Sequence, residues 1–332
     1  MSSKLKALIK QLEKDPRNLD LINEVAMGYY QTPDMITNDE DLKLFRKAYL
    51  IKKTVKTTNN LAWLLYIEYG NTDQAITIIE ECIALKPNSY FPYNLLGYIL
   101  LDEERFDEAL YYLSIAENKS EARDVVNNIG VAYFKLGNYE QAHKYFKKGS
   151  LLQDVENRSL YNLAVTALAL QNIEETEELL VTLKGNLQNE FIDPVCNYEI
   201  ASIYVALNQY EEASNLTIEL GLNGIDLADW PELAYSLFRS HQSLFDKTIS
   251  ESIAEREEWI VELESEHDDW EDYSSSEKLE RIEEFRTEIL IRRNLKSSFD
   301  KIKPDSKLEI INEYCGCLLF DCKQHNNPLN DL

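Results

Sequence analysis

Four residues near the C-terminus have the character of metal ligands: Cys315-x-Cys317-x4-Cys322-x2-His325. Thiolates and an imidazole are zinc donors. The spacing is not that of a known finger, and on a helix Cys315 and Cys317 point to different faces unless Gly316 breaks it. The alternative is that these are small buried hydrophobes, and no metal or cofactor is expected. A second candidate is the acidic run 251–273, where Glu255, Glu258, Glu262, Glu266 and Asp269 share one helix side beside Trp259 and Trp270. Paired carboxylates become acid–base catalysts when burial moves their pKa values. So many neighbouring charges imply exposure, which suits a docking surface for a basic protein or a simply solvated face. The phosphate-binding G-x-G-x-x-G and G-x-x-x-x-G-K-[ST], the metalloprotease H-E-x-x-H and the hydrolase G-x-S-x-G patterns are all missing. The reading is therefore a non-enzymatic protein.

The charge supports a binding role. The formal net charge is −25, from 59 acidic and 34 basic residues. Such a chain repels nucleic acids and anionic membranes and attracts basic proteins or peptides. The charge is polarised: residues 226–284 carry 19 acidic and 5 basic side chains, whereas residues 1–56 carry 8 and 11. No apolar run approaches the length of a membrane span, and the five cysteines form no even framework. A cytoplasmic location is the expectation, and the oligomeric state is left open.

The elements that position these residues repeat. Asn94-Leu95-Leu96-Gly97 recurs as Asn127-Asn128-Ile129-Gly130, and Arg105-Phe106-Asp107-Glu108-Ala109 as Asn138-Tyr139-Glu140-Gln141-Ala142. The period is about 34 residues. Asn162-Leu163-Ala164 follows at the same interval, and Ala201, Tyr204, Tyr210 and Ala213 match Gly130, Tyr133, Tyr139 and Ala142. Thr176 replaces the small residue of one repeat. These residues resemble tetratricopeptide repeats. The resemblance covers residues 56–222 as five repeats, preceded by capping helices and an irregular first repeat over 1–55 and followed by an acidic helical region over 223–332. It implies an all-α, right-handed superhelical array that binds a protein or peptide along its inner face.

In that family, set positions of the first helix of each pair meet ligands. Here the resemblance gives Phe91, Asn94, Tyr98, Leu101 and Asp102, then Asp124, Asn127, Val131, Phe134 and Lys135, then Arg158, Tyr161, Val165, Leu168 and Ala169, and finally Val195, Tyr198, Ser202, Val205 and Ala206. Amides there hold an extended backbone and aromatics take its side chains. The alternative is that the chain's own C-terminal helices cover these faces. The family's carboxylate-clamping subtype fits poorly: Asn128, Asn162 and Arg158 are partial matches, but Asn94 and Tyr98 replace the basic residues of the clamp. Two versions of the function follow, an immunity-like neutraliser of a basic partner and a peptide-sensing regulator. Two late helices are also expected: one from Asp229-Trp230-Pro231, capped by Asp229 and running through residues 234–249, and one over residues 308–323.

Overall fold

The computed structural model describes residues 2–32, 39–152, 157–186, 195, 197–219, 227–265, 270, 272–299 and 308–313. Regular structure among them is entirely helical. It comprises α1 (Ser3–Lys14), α2 (Leu19–Tyr30), α3 (Glu40–Ile51), α4 (Val55–Ile67), α5 (Thr72–Ala84), α6 (Phe91–Asp102), α7 (Phe106–Glu117), α8 (Arg123–Lys135) and α9 (Tyr139–Ser150). There follow α10 (Asn157–Ala169), α11 (Ile173–Asn186), α12 (Asn197–Ala206), α13 (Tyr210–Glu219), α14 (Pro231–Ser240), α15 (Gln242–Glu264) and α16 (Ser275–Phe299). Two compact units emerge. The first holds α1–α9 together with residues 311–313, and the second holds α10–α16 and continues to residue 310.

The repeat is written into its turns. Residues 70, 104, 137, 171 and 208 all have left-handed backbone angles, at intervals of 34, 33, 34 and 37. After each, the next residue donates its N–H back to the end of the helix it leaves: five residues back for Arg105 to Leu100, Asn138 to Tyr133, Asn172 to Ala167 and Gln209 to Tyr204, and six back for Asn71 to Leu65. This is the helix-ending bond that a left-handed residue permits. The same donor residue often starts the following helix. Asn71, Asn138 and Asn172 each accept, through the side-chain oxygen, the backbone N–H three residues on, at 3.3, 3.3 and 3.4 Å. One short turn thus closes one helix and caps the next, which is why the two run antiparallel.

Within each hairpin the helices approach closely. A Cβ on Gly130 would lie 2.6 Å from Phe146 Cε1, and one on Gly97 would lie 2.5 Å from Leu113 Cγ. Phe146, Leu113, Ala109 and Ala142 are fully buried. In the first unit the inner helices α4, α6 and α8 also touch in succession, forming a continuous inner layer. Its N-terminal end is closed by α1, whose Leu5 and Leu12 pack with Ile22, Val25 and Ala48. The degenerate repeat of the second unit accommodates its Thr176 because the hydroxyl donates to the carbonyl of Asn172 at 2.8 Å, leaving only the methyl to pack.

Two expectations fail here. The helix starting at residue 231 does not run to 249. It stops at Ser240, and His241, with φ −137°, separates it from α15. Its N-terminal flank is Trp230 rather than a side-chain cap from Asp229; Pro231, lacking an N–H, reduces the need for one. Residues 308–313, expected as the start of a last helix, are not helical. Residues 314–323 of that expected helix lie outside the described residues.

The close approach generates a prediction. Gly130→Ala should cost about 1–3 kcal/mol from overpacking against Phe146, partly offset by the better helix propensity of alanine. In a double-mutant cycle measured by urea unfolding, Gly130→Ala with Phe146→Leu should lose clearly less than the sum of the singles. Additive losses would contradict the contact.

Candidate inner-face site

The inner face of the first unit is lined by buried polar side chains, which is unusual for helices packed side by side. Asn94, Asn127 and Asn128 are fully buried and Asp124 is 6% exposed. Most of the helix backbone around them is already paired, so these side chains look for partners beyond their own helices. Asn94 of α6 donates to Asp124 Oδ2 of α8 at 2.8 Å, tying one inner helix to the next. Asp124 Oδ1 accepts the backbone N–H of Val125 at 3.0 Å.

Asn127 and Asn128 turn to residues 311–313. Asn127 Nδ2 donates to the carbonyl of Ile311 at 3.1 Å. Asn128 Nδ2 donates to the carbonyl of Glu313 at 2.9 Å, and its Oδ1 accepts the N–H of Glu313 at 2.8 Å. One side-chain amide thus pairs with both polar groups of a single residue. That requires the N–H and C=O of Glu313 to point the same way, as they do in extended backbone and do not in a helix. This is the physical reason the expected helix does not begin here.

Two side-chain contacts flank the backbone grip. Arg123 Nε meets Glu313 Oε1 at 2.7 Å, with side-chain exposures of 22% and 5%. Asn312 Nδ2 donates to Asp102 Oδ1 at 2.7 Å. Asp102 also accepts from the hydroxyl of Tyr66, and burial with that bond pushes the Tyr66 hydroxyl far above its ordinary pKa. Tyr98 sits edge-on to Tyr66 with ring centroids 6.1 Å apart.

The remaining residues expected in the groove are placed as follows. In the first unit Phe91 and Leu101 are buried, with Phe91 stacked on Tyr90, and Phe134 is half-buried against Tyr139. In the second unit Tyr161 is buried and Arg158 half-buried. Tyr198 stacks on Trp230 at 5.5 Å, among the aromatic core of α14, so the chain itself covers it. The family resemblance makes Asn128 no more than a partial clamp match; its backbone pairing is legible only once residue 313 is beside it. Arg123 lies one position outside the residues the family pattern selects.

The acidic side is more balanced than its sequence suggests. Glu255 and Glu258 are exposed, and Glu262 accepts from Trp270 Nε1 at 3.2 Å. Glu266 and Asp269 lie outside the described residues. Helix α16 pairs against α15 through Arg256–Glu288, Arg293–Glu257 and Lys296–Asp246 at 2.6, 2.7 and 2.7 Å. Cys315, Cys317, Cys322 and His325 also lie outside the described residues, and among those described no group of ligating side chains could hold a metal ion. No helix there is long and apolar enough to cross a membrane.

The cluster has a titration signature. Burial, then the charge of Glu313, push the Asp124 carboxyl up from 3.8 to about 7, against the opposing pull of the Val125 N–H and Arg123. A carboxyl whose pKa is higher folded than unfolded binds an extra proton in the folded state between those two values. Its contribution therefore favours folding at low pH and is lost as pH rises towards and through about 7. Carbon-detected NMR of the Asp124 carboxyl should give a midpoint near 7, falling in Glu313→Gln. A midpoint in the ordinary carboxylate range would contradict the buried pairing.

Family models agree with the turns and hairpins. Tetratricopeptide-repeat models match residues 57–89 and 124–153. A "TPR repeat-containing protein" of Methanocaldococcus jannaschii is 28% identical over 177 residues, which is 51% of this chain and 30% of that protein. The chain thus spans less than a third of that relative's length. Two solved structures resemble the fold. The type IV pilus biogenesis factor PilW has a TM-score of 0.50 at 21% identity, covering 56% of this chain and 85% of that one. PilF of Pseudomonas aeruginosa has a TM-score of 0.51 at 16% identity, covering 67% and 90%. Recurring turns, close-packed hairpins and matched repeats converge, and the chain carries tetratricopeptide repeats.

Proposed function

We propose that this protein binds a partner by holding an extended segment of it along the inner face of α6 and α8. Tetratricopeptide arrays are scaffolds for protein interaction, and the role is one of binding rather than catalysis. The observation that supports this groove as the site is the two-point pairing of Asn128 with a peptide backbone. Side-chain amides that grip backbone groups accept many sequences, and neighbouring side chains then select among them. Asn127 extends the grip two residues along the segment. Tyr66 and Tyr98 supply aromatic surface beside it.

Neutralisation of a basic protein through the α15 side is a second reading. The exposure of Glu255 and Glu258 favours it. The internal pairing with α16 reduces the field available to steer a partner.

Extended peptides selected by display against the full chain test the first reading. They should lose about tenfold or more in affinity, roughly the worth of a charged or doubly made hydrogen bond, on Asn128→Ala. Selected peptides indifferent to Asn128 would place the site elsewhere, and exposed residues of α15 would be the next to mutate.

A further inference from the structure

The inner face is not empty: the protein's own residues 311–313 lie on it, about 185 residues along the chain from the asparagines that hold them. We infer that this segment is a built-in occupant, and that the external partner is a protein segment of the same chemistry, a hydrogen-bond-donating side chain followed by a carboxylate, which displaces it. The inference rests on the inner face of α6 and α8 being the peptide site.

Backbone pairing alone cannot choose a ligand, because every residue offers the same N–H and C=O. Selection falls to the two side-chain contacts. Arg123 faces the Glu313 carboxylate at 2.7 Å. A lysine or arginine in that place would bring a second cation to the guanidinium and lose a charge-assisted bond. One residue earlier, Asp102 accepts from Asn312 and, with Tyr66 as its other donor, calls for a donor again. An asparagine, glutamine or basic side chain answers it, and a carboxylate would be repelled. The groove therefore reads a two-residue pattern of donor then acid. The overall charge of −25 points to a basic partner, but at Arg123 the local chemistry asks for the opposite sign.

An occupant on the same chain competes at high effective concentration. The partner's apparent affinity falls by the fraction of molecules in which residues 311–313 have vacated the groove. The same competition filters out segments that match only the backbone grip, since those gain less than the resident segment already supplies.

The test uses a fluorescent, end-blocked peptide with the sequence of residues 308–313, titrated against the full chain and its Glu313→Pro variant. Proline at 313 removes both the N–H that Asn128 accepts and the carboxylate that Arg123 holds, while leaving every groove residue intact. Binding to the variant should be about tenfold tighter than to the unaltered chain. It should weaken about fivefold or more when the peptide carries glutamine at the Glu313 position, and likewise when the Glu313→Pro chain also carries Arg123→Ala. Glu313→Ala, which spares the backbone, should follow the same order with a smaller gain. Equal binding to both chains, or indifference to the glutamine change, overturns the inference, and the peptide site itself survives if that binding still needs Asn128. Failure of this peptide alone, with display-selected peptides still binding through Asn128, also overturns only the inference. Failure of every peptide overturns both.

Discussion

The distance between the two helices of a hairpin sets everything else in this array. Gly130 against Phe146 and Gly97 against Leu113 leave no room for a Cβ. Helices held that closely expose one narrow face each, and the inner ones stack α4 on α6 on α8. The turns serve the same end: a left-handed residue and the bond after it reverse the chain, and three of the five place an asparagine cap directly on the next helix. Burial against neighbours, repeat by repeat, replaces a single central core.

That geometry creates a problem for polar groups on the inner face. A helix uses up its own N–H groups and leaves at most a spare lone pair on its carbonyls, so a buried asparagine on it must draw most of its hydrogen bonds from outside. Asn94 is answered by Asp124 on the next inner helix. Asn127 and Asn128 are answered by a piece of backbone from the far end of the chain. The inner face behaves as one edge of a missing strand, which is the physical basis for recognising an extended segment. Asp124, raised by burial and by Glu313, makes the electrostatics of that face responsive near neutral pH.

The repeat period and the small residues were legible from the sequence because they act on neighbours within one hairpin. The contacts of residues 311–313 were not. Leu308, Ile310 and Ile311 lie in a run that reads locally as amphipathic helix, and the amide that overrides this reading is Asn128, about 185 residues away. The ion pairs of the acidic side were hidden from the sequence for the same reason. A window ending at residue 284 sees the acids of α15 but not Glu288, Arg293 and Lys296, which join the pairs between α15 and α16 from across the hairpin. Tyr198 fitted the repeat pattern, and only the tertiary fold brings Trp230 over it.

The central claim is that Asn128 grips a peptide backbone and that residue 313 supplies it. Amide hydrogen exchange at Glu313 in the full chain measures this most directly. The account predicts a protected amide whose protection is lost in Asn128→Ala while the amides of α8 remain protected. An amide at Glu313 that exchanges at the rate of an unstructured peptide in the unaltered protein would contradict it.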